Sequence, residues 1–412
     1  MDALRAADRL SLSTDNDWMR RARRVDARAS TRRDILTEIG TDATVYPRFV
    51  SRMKGAHLWD TDGNRYVDYM LGYGPVILGH ADERVNEAVI AELAHGNCMA
   101  PLWSSRQIEL NELLCEVLPG AEQAYLMKTG SDTTTAAVRL ARIHTGRSRV
   151  IRWGYNGWHD WAAGSPNGIP PESYALTSTF DHSDPDSLRQ AFATYPGEVA
   201  CVLIMPFEEG TTTTAHLAEL KSITHEHGAV FIFDEMRSGF RMAVGGAQEY
   251  FGVQADLATF SKAMANGYPI SALCGRRDIM SGLALTRISS TFYASPVEMA
   301  AAMATIDVLR HTDALARVWR LGGALQHGLR RLIADYEVAA EVVGYAPMPF
   351  LRFTDADPQR RDEVRNRFYV TAVAGGALLH PDHQWFVSAA HTDDDIQATL
   401  DVCRVAMERA VG

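Results

Sequence analysis

The apolar positions of this chain fall into two alternating patterns. Short continuous runs occur at residues 122–128 (EQAYLMK), 148–153 (SRVIRW), 198–205 (EVACVLIM), 229–233 (AVFIF), 256–260 (DLATF) and 270–274 (ISALC). Runs of this length, rich in Val, Ile, Leu and Phe, predict strands buried on both faces. Between several of them lie stretches with apolar residues three and four apart, notably 132–145 and 214–227, which predict amphipathic helices. Strand and helix in alternation predict an α/β fold with a mostly parallel central sheet covered on both faces. Upstream, 55–70 alternates around Asp62-Gly63-Asn64, a hairpin signature. After about residue 296 the pattern changes to long helices over 296–333, strand-like pieces at 339–346 (AAEVVGYA) and 350–354 (FLRFT), and a closing helix over 393–410. The division this predicts is an N-terminal arm and part of a small domain over 1–54, a large domain over 55–295, and a C-terminal small-domain segment over 296–412. The smaller, α+β domain is thereby built from both chain ends. No internal repeat interrupts this plan.

Composition narrows the function. At 412 residues and 46% hydrophobic content there is material for a large core and a smaller companion. A net charge of −10 argues against a nucleic-acid partner, which requires a basic face to displace counterions. Cys98, Cys115, Cys201, Cys274 and Cys403 are widely spaced and lack the pairing of a zinc site, so no metal is expected and a reducing, cytoplasmic compartment fits best. No signal-peptide run or membrane-length apolar stretch is found, so no membrane partner is expected. Lysine occurs only at Lys54, Lys128, Lys221 and Lys262, which leaves few candidates for amine chemistry.

In an open α/β sheet, function collects where strands end. The strand at 122–128 is followed by Thr129-Gly130-Ser131-Asp132-Thr133-Thr134 and a helix, a start whose N–H groups and hydroxyls suit a phosphate; an ordinary helix cap explains the same residues. The strand at 229–233 ends in Asp234-Glu235, where an acid can hold a proton on a pyridine nitrogen; a solvated strand-end carboxylate is the plainer reading. Lys262 follows the strand at 256–260 among small and apolar residues, where an amine loses its proton more readily than at a surface. The loop Trp153-Gly154-Tyr155-Asn156-Gly157-Trp158-His159-Asp160-Trp161 offers Tyr155 for stacking on a flat ring, or simply aromatic packing. The order and spacing of these elements, taken together, carry more weight than any one of them.

From about residue 48 to 300, and more loosely to 410, the chain resembles the class III aminotransferases, and within them the glutamate-1-semialdehyde aminomutase branch. The matching segments are GAHLWDTDGNRYVDYMLGYGPVILGH (55–80), TGSDTTTAAVRLAR (129–142), GYNGWHD (154–160), FIFDEMRSGFR (231–241), ADLATFSKAMANGYPIS (255–271) and STFYASPVEMAAA (290–302). The resemblance implies the type I fold of pyridoxal-phosphate (PLP) enzymes, with 55–295 as the cofactor-binding domain. It implies PLP as cofactor, with pyridoxamine 5'-phosphate as its intermediate form, and a homodimer with active sites at the subunit interface. By motif match, Lys262 is the catalytic Schiff-base lysine and Asp234 the partner of the pyridine nitrogen. Tyr155 stacks on the ring, Gly130 and Ser131 cradle the phosphate, and Thr291 reaches that phosphate from the neighbouring subunit.

The departures concern the substrate side. Where the family usually has a Glu-Pro pair, this chain has Met205-Pro206-Phe207-Glu208, so a carboxylate is missing or displaced to Glu208. The common SGTEA motif is replaced by TGSDT, and the Pro-Gly-Gly segment of many relatives is absent. Arg32 and Arg33 lie near the relatives' substrate-carboxylate arginine. Arg33, Tyr73, Glu208, His383 and Trp385 are therefore the candidate substrate contacts, and they suit a polar, even sugar-like, amine as well as an amino acid. The implied reaction is transfer of an amino group between an amine or amino acid and a keto or aldehyde acceptor, including amino-sugar or aminoglycoside biosynthesis. An aminomutase and an epimerase use the same residues and stand as alternatives. A non-catalytic PLP-binding homologue is the reading from another class, and retention of Lys262 and Asp234 argues against it.

Overall fold

A computed structural model describes residues 13–27, 29, 46–207 and 212–412. The chain divides into two compact units, one of Glu83–Leu315 and one of the described residues up to Asp82 together with Ala316–Gly412.

The chain enters the terminal unit through helix α1 (Ser13–Val25) and strands β1 (Val50–Lys54), β2 (His57–Asp60) and β3 (Arg65–Asp68). The turn between β2 and β3 is the one the Asp-Gly-Asn signature predicts: Gly63 takes a φ of +87°, and Asp60 Oδ1 accepts the backbone N–H of Asp62 and Asn64 at 3.0 and 2.8 Å.

The larger unit opens with helices α2 (Glu83–Leu93) and α3 (Ser105–Val117) and then alternates: β4 (Gln123–Met127), α4 (Gly130–Thr145), β5 (Arg149–Trp153), β6 (Thr177–Thr179), α5 (Pro185–Thr194), β7 (Val199–Ile204), α6 (Thr214–Glu226), β8 (Val230–Asp234), α7 (Gly246–Phe251), β9 (Leu257–Phe260), β10 (Ser271–Gly275) and α8 (Pro296–His311). Its seven strands lie in the order β4-β10-β9-β8-β7-β5-β6. Only β10 runs against its neighbours; the pairs β9/β8, β8/β7, β7/β5 and β5/β6 are parallel. Val138, Leu140 and Ala141 of α4 are buried in a core with Cys201, Leu203, Val230, Ile232, Leu257 and Leu273 of the sheet. Helix α6 turns Leu217, Leu220 and Ile223 inward and packs against β8. The central parallel strands β7, β8 and β9 are buried along their full length because helices cover the sheet, which is why their sequences read as apolar runs. This mostly parallel α/β sheet is the type I fold expected of the sequence.

The chain then returns to the terminal unit through α9 (Ala314–Asp335), the antiparallel pair β11 (Ala340–Val343) and β12 (Phe350–Phe353), α10 (Pro358–Ala374), β13 (Ala377–Leu378) and α11 (Asp393–Val411). β13 completes a four-stranded sheet in the order β1-β2-β3-β13, its pairing with β3 parallel. Helix α11 starts with a capping box, Thr392 and Asp395 exchanging side-chain and backbone bonds.

The domain borders read from the sequence were 54/55 and 295/296, whereas the compact units divide at Asp82/Glu83 and Leu315/Ala316. β2 and β3 pair with β1 and β13, which ties 57–68 to the terminal unit, and α8 packs on α2 and α3, which ties 296–311 to the larger one. Helix α10 has no counterpart in the sequence reading, although Asp357-Pro358, an N-cap followed by proline at the first helical position, marks its start.

Candidate functional site

Within the larger unit, the carboxyl ends of β4, β5, β8 and β9 each lead into one of the segments singled out from the sequence. β8 and β9 are parallel neighbours with Asp234 opposite Thr259, so Asp234 and Lys262 leave adjacent strand ends in the same direction. On the far side of β10, Ser271 donates its hydroxyl to the Thr129 carbonyl at 2.9 Å and so ties the start of α4 to the sheet.

Asp234 is 2% exposed. Its Oδ2 accepts the side-chain N–H of Asn156 at 2.9 Å, and its Oδ1 accepts the backbone N–H of Met236 at 3.1 Å. Burial pushes its pKa above the ordinary carboxylate range, against the pull of those two donors and of Lys262 and Arg237. Asn156 is itself buried, accepts the Thr134 hydroxyl on its backbone carbonyl at 2.7 Å, and has a side-chain Oδ1 with no hydrogen-bond partner among the described residues.

Lys262 opens a short 3-10 turn, Lys262–Ala265, against which α8 packs. It has a φ of +46°, a left-handed conformation that costs a side-chain-bearing residue and is held only where the surroundings dictate it. The residue as a whole is half-buried, yet protein surrounds its ammonium closely, and burial is the first cause of a pKa lowered to about 8. The positive charge of Arg237 adds to the lowering, Asp234 opposes it, and Arg241 lowers it further. Arg241 is 1% exposed, and burial lowers its own pKa to about 9.

Glu235, next to Asp234, serves the fold. It is fully buried, accepts the Ser238 hydroxyl and the Ala247 N–H on Oε2 and the Gln248 N–H on Oε1, and thereby caps the start of α7.

The start of α4 is a tight cradle. Thr129 and Asp132 form a capping box, and a Cβ on Gly130 would lie 2.7 Å from the Met236 sulfur. Gly157, at a φ of +116°, leaves room for Ser131, whose Oγ a Cβ there would approach to 2.7 Å; the same Oγ accepts the Trp158 N–H at 3.4 Å. Tyr155 is 68% exposed, and Thr291 lies exposed beside Phe292.

The remaining expected contacts scatter. Arg32, Arg33 and Glu208 lie outside the described residues. Tyr73 and His383 belong to the terminal unit, where their rings meet edge to face at 4.9 Å. Tyr73 carries a φ of +66° and faces His380 Nε2 across 3.4 Å. His380 Nδ1 accepts the Asp382 N–H, so the ring proton sits on Nε2, and burial lowers the pKa to about 4. Trp385 is fully buried and donates its indole N–H to the His380 carbonyl at 2.8 Å, so it has no surface to present to a substrate: an indole with one polar atom packs inward once that atom is bonded. Asn156, Arg237 and Arg241 stand in quoted motifs, but the sequence reading gave none of them a role; burial sets Asn156 and Arg241 apart, and the charge it places near Lys262 sets Arg237 apart, neither of which a single sequence prints.

A family model for class III aminotransferases matches residues 39–162 and 175–401. The chain is 34% identical over 369 residues to the 3-aminobutyryl-CoA aminotransferase of Cloacimonas acidaminovorans, covering 88% of this chain and 89% of the relative. It is 34% identical over 352 residues to the 2'-deamino-2'-hydroxyneamine transaminase of Streptomyces kanamyceticus, covering 85% and 88%. The PLP internal aldimine form of the FumI protein of Sphingopyxis sp. MTA144 superimposes with a TM-score of 0.90 at 30% identity, over 96% of this chain and 95% of that one.

The residues present suit pyridoxal phosphate. A buried carboxylate with acceptor capacity left over, a lysine whose pKa is lowered toward neutrality, and a 16-residue helix opening on a glycine answer to its ring nitrogen, its aldehyde and its phosphate.

Proposed function

The chain belongs to the class III aminotransferases and is a pyridoxal-phosphate-dependent aminotransferase; from that premise we propose that Lys262 carries the cofactor and moves the proton, while Asp234 holds the ring nitrogen protonated. The observation that carries this is the delivery of a buried carboxylate and a pKa-lowered lysine by adjacent parallel strand ends. When bound, pyridoxal phosphate supplies a carbonyl for the incoming amine and a ring that draws electrons from the carbon losing its proton. Lys262, with a pKa near 8, is poised to take that proton through Nζ and return it, because a base works best when its pKa lies near the working pH. Asp234 keeps its negative charge toward the ring nitrogen, with two donors fixing its carboxylate plane. The N–H groups at the start of α4, with Ser131, would hold the phosphate, and the exposed Tyr155 would stack on the ring.

We further infer a homodimer in which Thr291 of the partner subunit completes the phosphate site. Phe292, the neighbour of Thr291, is 61% exposed in the single chain and supports it as an apolar side chain that a partner subunit would cover. For substrate, we favour a polar amine of the amino-sugar type, with a carbonyl compound as acceptor. The similarity to a transaminase of 2'-deamino-2'-hydroxyneamine supports that choice, as does Met205, whose thioether lies against Gly154 in the segment that departs from the family's usual Glu-Pro pair.

Mixing the holoenzyme with a panel of amino sugars, ω-amines and α-amino acids, without acceptor, tests the reading. Conversion of the cofactor to its pyridoxamine form with one equivalent of carbonyl product, fastest for an amino sugar, is expected. An isomer of the added amine, with its nitrogen moved or its carbon inverted and no carbonyl product, would replace transamination by mutase or epimerase chemistry.

A further inference from the structure

Asn156 is bound from two sides. Its side-chain N–H reaches Asp234 Oδ2 at 2.9 Å, and its backbone carbonyl takes the Thr134 hydroxyl at 2.7 Å. The amide is 2% exposed and its orientation is forced, because an ionised carboxylate only accepts, so Nδ2 must face Asp234 and Oδ1 must face away. Among the described residues Oδ1 has no hydrogen-bond partner. The bond to Asp234 and the anchored backbone carbonyl together fix the direction of the amide. The flanking Gly157, in a left-handed turn closed against Ser131, holds the loop in that arrangement. Met236 N–H grips the other oxygen, so the two donors together set the direction of the carboxylate.

We propose that Asn156 is a positioning residue that aims the Asp234 carboxylate and keeps it ionised, through a donor that does not itself titrate. The inference rests on the reading of Asp234 given above. Because an amide holds its proton at every working pH, the Asp234 pair behaves alike across the neutral range. A neighbour such as histidine would couple it to pH.

The test compares Asn156→Ala, Asn156→His and Asp234→Asn with the parent holoenzyme. Three quantities are measured: the pH titration of the bound cofactor's absorbance, the affinity of the apoprotein for pyridoxal phosphate, and the single-turnover rate with a reacting amine. Asn156→Ala is expected to alter the absorbance titration and to slow the turnover about 10- to 100-fold, the effect of one lost hydrogen bond to a charged group, with little change in KM. Asn156→His, which restores an N–H donor, should recover part of the rate with a pH dependence that the parent lacks. An Asn156→Ala enzyme with the parent's titration and rate would overturn the inference. So would a slow Asn156→Ala enzyme that histidine does not rescue, since that pattern belongs to a packing role. If Asp234→Asn also turned over normally, the reading of Asp234 would fail instead; a crippled Asp234→Asn beside a normal Asn156→Ala would remove only the role of Asn156.

Discussion

Lys262 concentrates the chemistry of the site into one side chain, and burial is the leading cause of its behaviour. With its pKa lowered from 10.5 to about 8, the folded chain holds fewer protons there than the unfolded chain between those values. Stability therefore rises with pH across that window, and below it the full cost of burying the ammonium is felt. Lys262→Met removes that cost, so apoprotein carrying it should melt higher than the parent at pH 7, with the margin shrinking above pH 8. Thermal melts from pH 7 to 10 check this; equal melting points throughout would mean the ammonium is not buried in solution. At this scale Lys262 and Asp234 could be singled out because each stands at or just beyond the carboxyl end of an apolar, buried strand. Asn156 was not, because an asparagine between two glycines and several aromatics reads as a turn residue. Trp385 was over-read for the complementary reason: nothing in LLHPDHQWFVSAAHT says which of its rings turns inward.

Among the elements, α7 depends on a carboxylate that belongs to the turn after β8. Burial raises the Glu235 pKa from 4.5 to about 7, against its three donors. The folded state then holds the extra proton between those values, so the group's stabilisation is complete below about pH 4.5 and is lost as pH rises through 7. Glu235→Gln abolishes this dependence and sets an amide N–H against a backbone N–H of α7. It should cost about 1–3 kcal/mol, the penalty of one buried donor left unpaired. Melting the parent and variant between pH 4.5 and 7.5 measures both effects, and a variant as stable as the parent would contradict the capping role. For the same reason this substitution is a poor neutral control for changes at Asp234. The strands of the large sheet were legible from their apolar runs, but the reversed direction of β10 was not, since an apolar run such as ISALC reads the same in either orientation. Helix α10 escaped notice because polar residues fill its first half, so its start shows only in the Asp-Pro cap.

Over the whole molecule, the exposed apolar side chains of the larger unit and the proposed dimer make one claim: cofactor binding and assembly strengthen each other. Phe292→Arg, which puts a charge into that surface, should shift the protein toward monomer in sedimentation and weaken its hold on pyridoxal phosphate. Thr291→Val should weaken the cofactor about tenfold or less while leaving assembly of the apoprotein intact, as expected for one lost hydroxyl contact. A monomer that binds the cofactor as tightly as the parent would contradict the shared site. Among the described residues no helix is long and apolar enough to cross a membrane. The most direct test of the whole account is to reduce the holoenzyme with borohydride, digest it and locate the cofactor. The account predicts a single pyridoxyl-labelled peptide containing Lys262, absent from Lys262→Ala; a label on Lys54, Lys128 or Lys221 would contradict it.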